Sequence, residues 1–73
     1  MASDITIAGL AAELGTTRRI VEYVIDSEKI EPKVLNATTH LLSAAQQRQV
    51  AKAIIRKRAD AVSLVNRCEE FLK

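Results

Sequence analysis

The strongest constraint on this chain is a glycine set between two apolar stripes of helical period. Ahead of Gly15 the apolar residues fall at Ile7, Leu10, Ala11 and Leu14; behind it they fall at Ile20, Val21, Val24 and Ile25. Each set lines one side of a helix. Thr6 and Thr17 stand where a hydroxyl can accept from the free N–H groups of a first turn. Gly15 suits the left-handed residue that ends a helix. The segment from Ile5 to Leu14 therefore reads as one helix, with Gly9 as a local cost of about 1 kcal/mol against Ala. A second helix begins at Thr17. The pattern Leu10-Ala11-x3-Gly15-x5-Val21-x2-Val24 predicts a helix-turn-helix between Ile7 and Ile25. In it Ala11 lets the helices cross closely, and Leu10, Leu14, Val21 and Val24 set their angle.

Arg18 and Arg19 occupy the first turn of the second helix and face outward in this phase. The helix macrodipole disfavours cations there. An ordinary solvated face is one explanation; an anionic partner at that end is the other. Tyr23 either covers the edge of the core or meets the same partner.

Asp26-Ser27-Glu28-Lys29 reads as a polar connection. Pro32 stops a helix from continuing, and the runs Ile30–Leu35 and Thr38–Leu42 flank Asn36-Ala37, so a short β-hairpin is predicted over residues 30–42. Ser43 is a good N-cap. From there to Lys73 the chain has no Gly and no Pro, and Val50, Ile54, Ala61, Leu64, Cys68 and Phe71 fall near a 3.5 spacing. One long helix fits, and so do two helices broken near Arg56–Asp60, with Asp60 or Ser63 as the second cap. The C-terminal stripe either packs on the core against the first helix or forms a dimerisation helix.

Charge is uneven. Eleven basic and nine acidic residues leave a net charge of only +2, which says little about partners. Acidic residues are nevertheless absent from Pro32 to Ala59, while Arg48, Lys52 and Arg56 recur every four residues, on one helix face. Lys57 and Arg58 extend this basic segment. It is either a solvated surface or a patch that tracks a nucleic-acid backbone.

At 73 residues the chain is one small domain, and with aromatics at 3% its core must be aliphatic. A single cysteine, Cys68, makes no internal disulfide and no metal site, and fits a reducing compartment. A lone His40 without Cys or carboxylate neighbours is weak as a metal ligand. The Met1-Ala2-Ser3-Asp4 start lacks the features of a signal peptide, and no stretch is long and apolar enough to span a membrane. No glycine-rich phosphate loop, no His–carboxylate cluster and no nucleophile with a base is present, so neither an enzyme nor a cofactor is expected. The expected location is cytoplasmic, and nucleoid-associated if DNA is the partner.

The run Thr6-Ile7-Ala8-Gly9-Leu10-Ala11-Ala12-Glu13-Leu14-Gly15-Thr16-Thr17-Arg18-Arg19-Ile20-Val21-Glu22-Tyr23 resembles the start of MerR-type winged helix-turn-helix domains. Ile30-Glu31-Pro32 is similar to the Leu-x-Pro that enters the family's wing, and Asn36–Ser43 is similar to its Asn-Gly-x-Tyr-Arg-x-Tyr-Ser. The resemblance covers about residues 5–57. Glu22 stands where the family commonly has Arg, Val24 where it has a second Tyr, and Ala37 where it has the turn Gly. Thr39, His40 and Leu42 replace a Tyr, an Arg and a Tyr.

The resemblance implies a mainly α, winged helix-turn-helix fold with a short β-hairpin wing over residues 5–57; residues 58–73 lie outside it and read as a C-terminal helical extension, so that the chain ends in a helix or helix pair. It implies that the 17–25 helix enters the major groove of double-stranded DNA and that the 30–42 hairpin rests on the backbone, as in a transcription regulator. By position, Thr17, Arg18, Arg19 and Tyr23 become contact candidates on the helix, and Lys33 and His40 on the wing. The basic stripe adds Arg48 and Lys52. Dimerisation through the C-terminal helix is also implied. The alternative, drawn from Glu22, Val24 and the altered wing, is a protein-interaction or dimerisation module on the same fold.

Overall fold

A computed structural model describes residues 4–37 and 39–73. The fold is mainly helical with a small antiparallel sheet. In chain order the described elements are β1 (Ile5–Thr6), α1 (Ile7–Leu14), α2 (Arg18–Ser27), β2 (Lys33–Val34), β3 (His40–Leu42), α3 (Ala44–Lys57) and α4 (Val62–Leu72).

Local chemistry explains most of the boundaries. Thr6 caps α1 by accepting from the Gly9 N–H at 2.9 Å, and Thr17 caps α2 by accepting from the Ile20 N–H at 3.3 Å. Gly15 has φ 67° and ψ 34°. Its N–H donates to the Ala12 carbonyl and that of Thr16 to the Ala11 carbonyl, which is the paired closure of a Schellman turn. Ser43 and Gln46 form a reciprocal capping box at the head of α3.

Several expectations need correction. The Thr6 cap stands as read, but no strand was expected ahead of it: Ile5 and Thr6 form a strand on β3, with Ile5 opposite Leu42 and Thr6 opposite Leu41. The hairpin is thus part of a three-stranded sheet of order β1-β3-β2. Its paired strands are shorter than residues 30–42, with Lys33 opposite Leu41 and Val34 opposite His40. The turn closes not on Asn36-Ala37 alone but between Asn36 and Thr39, whose N–H donates to the Asn36 Oδ1 at 2.9 Å. Thr38 of the expected strand, like Met1, Ala2 and Ser3, lies outside the described residues.

Asp26 and Ser27 belong to α2 rather than to a connection. The helix ends in a second Schellman turn, with Lys29 N–H to the Asp26 carbonyl and Ile30 N–H to the Ile25 carbonyl. Lys29 takes the left-handed position at φ 55°. Residues 43–73 form two helices, α3 and α4. Neither Asp60 nor Ser63 caps the second; Ala61 stands at that place without a side-chain cap bond.

One core holds these elements together. Leu10, Leu14, Val21, Val24, Leu42, Val50, Ile54 and Cys68 are its largest fully buried side chains. The half-buried Leu64, Phe71 and Leu72 pack against it. α4 therefore folds back on α3 and α1, and its inner side belongs to the core of residues 5–57. No helix among the described residues is long and apolar enough to cross a membrane.

Candidate functional site

α2 is strongly two-sided. Val21, Val24 and Ile25 are buried, while Arg18, Arg19, Glu22, Tyr23 and Asp26 are exposed. Its two ends are held differently. At the C-terminal end, Glu28 accepts from Arg56 at 2.8 Å and from Lys57 at 3.3 Å, tying α2 to the last turn of α3. The Arg56 guanidinium, helped by Lys57, holds the Glu28 carboxyl below the usual carboxylate range against a smaller opposing effect of burial. At the N-terminal end there is no acidic residue in the first turn.

The expected site residues separate into three groups. Arg18 and His40 are brought together: with Ile7 they line two adjoining clefts, of about 230 and 320 Å³, between α2 and the sheet. Thr17 stands beside them with its hydroxyl engaged in the α2 cap. Arg18 donates from Nε to Glu22 Oε2 at 2.9 Å.

Arg19 and Tyr23 form the second group, on another side of α2. With Ile20 and Arg58 they line a shallow, largely apolar cleft of about 350 Å³. Tyr23 is 58% exposed, so its ring covers little of the core. Arg58 is absent from the site read in the sequence, where it appears only as an extension of the basic stripe. Its place opposite Arg19 follows from the end of α3, which no Gly or Pro marks. The signal available in the sequence was only the cluster Arg56-Lys57-Arg58.

The remaining candidates are not brought to either cluster. Lys33 is exposed on β2, and its register partner is Leu41, whereas His40 follows the phase of buried Leu42. Alternation along β3 thus puts Lys33 and His40 on opposite faces of the sheet. Arg48 turns to the far end of α4, donating from Nη1 to the Leu72 carbonyl at 3.1 Å, where a cation suits the helix C-terminus. Lys52 is exposed on α3 between Arg48 and Arg56. The basic stripe is therefore split: Arg48 serves α4, and Arg56 and Lys57 serve Glu28.

The two α2 clusters offer cationic hydrogen-bond donors and one aromatic ring. Such a set recognises acceptor-rich, anionic surfaces. No group of three His, Cys, Asp or Glu able to hold a metal is found among the described residues. Comparison with known family models, curated proteins and solved structures gives no match to this chain.

Proposed function

We propose that the chain binds double-stranded DNA as a winged helix-turn-helix, as in a transcription regulator. In this reading α2 lies in the major groove and the β2–β3 hairpin rests on the backbone. One observation carries it: Arg18 and Arg19 both stand exposed at the N-terminus of α2, where the macrodipole disfavours cations and no first-turn acid offsets them. Only Arg18 has an ion-pair partner among the described residues. An anionic ligand would supply the counter-charge that Arg19 lacks, and the phosphates of duplex DNA are a dense source of it. Arg58, beside Arg19, adds to the same footprint.

A salt titration of binding to duplex DNA tests this reading. The logarithm of the affinity should fall linearly with the logarithm of salt concentration, at a slope of about 0.9 for each phosphate neutralised. Flat affinity, or no binding at low salt, overturns it.

A second reading, a protein-interaction module on the same fold, is favoured by Val34 and Leu35. They are 64% and 60% exposed on the hairpin, unusually open for apolar side chains of their size. A homodimer through α4 would have to use its outer side, where Val62 is the large exposed apolar residue. Sedimentation and pull-down measurements separate the readings: a monomer that binds duplex DNA and no protein counts against the second.

A further inference from the structure

Glu22 stands one helical turn beyond Arg18 on the exposed side of α2, and the two are joined through a single nitrogen. Arg18 Nε meets Glu22 Oε2 at 2.9 Å, with the side chains 55% and 48% exposed. A pair this open adds little to stability. Its consequence lies in what it does to the two side chains.

We infer that Glu22 is a specificity-determining residue: it orients Arg18 for a guanine edge and sets a negative charge against every other register on the duplex. This rests on the duplex-binding reading above. The bond to Glu22 takes the Nε edge of the guanidinium and leaves both Nη groups without a hydrogen bond among the described residues. Those two groups keep a pair of donors whose spacing matches O6 and N7 of guanine in the major groove. The pair biases the long Arg18 side chain toward this geometry, which lowers the ordering cost of that contact. Glu22 Oε1 is likewise without a hydrogen bond among the described residues. Where no guanine is in place to meet Arg18, the same carboxylate faces phosphates and acceptor edges, which it repels.

Arg19 lacks such a neighbour. It lines the other cleft with Tyr23, one turn along α2, and with Arg58 of the α3 end, and no carboxylate pairs with it among the described residues. Two guanidiniums lining one cleft suit phosphate, which carries no sequence information. α2 thus divides its work: Arg19 supplies strength, and the Arg18–Glu22 pair supplies selectivity. Glu22 is a positioning residue in this scheme, acting through Arg18.

The test is selection of sites from a pool of randomised duplexes by the wild type, Glu22→Ala, Glu22→Gln and Arg18→Ala, with anisotropy titrations on a random duplex alongside. The wild type should select a fixed G·C pair. Glu22→Ala should bind random duplex severalfold tighter and lose roughly tenfold in preference for that pair. Arg18→Ala should lose the same preference, and adding Glu22→Ala to it should remove nothing more. Glu22→Gln, which keeps an acceptor for Nε, should retain more of the preference than Glu22→Ala. It also serves where the alanine variant does not fold, as judged by circular dichroism. Unchanged base preference in both Glu22 variants overturns the inference. So does a wild type that binds duplexes with no base preference, although duplex binding itself then stands. A wild type that binds no duplex at low salt overturns both.

Discussion

Arg67 donates from Nη2 to the backbone carbonyl of Glu13 at 3.0 Å, joining α4 to the last turn of α1 across fifty-four positions of the chain. The guanidinium lies beside Gly15, where a methyl group would stand 3.5 Å from Arg67 Nε. That is ordinary van der Waals contact, so space is not what requires glycine here. The left-handed φ of 67° is. Gly15→Ala should therefore cost about 1–2 kcal/mol through backbone strain, read as a lower urea midpoint with an unchanged m-value. Arg67→Ala should cost less, about 0.5–1 kcal/mol for one exposed hydrogen bond.

Lys29 should respond in the opposite direction. It holds the left-handed position of the α2 Schellman turn at φ 55° with a full side chain. Lys29→Gly relieves that strain and gives back some of the gain through the freer unfolded chain. A net stabilisation of about 0.5–1 kcal/mol is expected from urea unfolding.

Acid should weaken the brace between α2 and α3. The Glu28 carboxyl is held below its ordinary value of 4.5 by Arg56 and Lys57. A depressed carboxyl contributes stability that is present above the unfolded value and is lost as pH falls through the folded one. The stability of the wild type should thus fall more steeply than that of Glu28→Gln below about pH 4.5. Parallel curves for the two proteins would refute the brace.

Alkali should act through Cys68. Burial pushes its thiol above the ordinary value of 9.0, so the folded protein favours the neutral form. Stability from that preference is complete below the unfolded value and declines as pH rises through the folded one. Cys68→Ala should cost about 1 kcal/mol at neutral pH, through lost packing, and the gap between the two proteins should narrow above pH 9.0. At neutral pH the fully buried thiol should react with thiol reagents only as fast as α4 opens.

The arginines should separate by position under the proposed function. Arg19→Ala and Arg58→Ala should each reduce the salt dependence of duplex binding by about 0.9. Arg48→Ala should leave it unchanged, because Arg48 is turned to the end of α4. Equal effects at all three would mean that binding follows overall charge rather than this surface.

What could be read from the sequence was whatever local chemistry decides. Thr6, Thr17 and Ser43 cap helices where their hydroxyls predict, and Gly15 ends α1 because few other residues accept its φ. What was missed depends on partners far along the chain. Ile5 and Thr6 carry no strand signal in isolation and become a strand because Leu41 and Leu42 lie alongside. α3 ends at Lys57 without a breaker because α4 gains more by folding back to bury Cys68 than by continuing straight. Lys29 hides a helix end because lysine is not the residue that usually marks one. For the site, α2 showed its outward face through periodicity, but Arg58 opposite Arg19 and Arg48 turned away are results of the α3–α4 corner, which periodicity does not locate.

Thr6 is both the last residue of β1 and the cap of α1. Since β1 also lies against β3, the hairpin and the helix pair are geared to each other through one threonine, with no slack segment between them. A tilt of the hairpin would pull on the first turn of α1 and, through the Gly15 turn, on α2. A ligand gripped by hairpin and helix at once would meet a frame whose two jaws already stand at a set opening, and its shape would have to match that opening rather than close it.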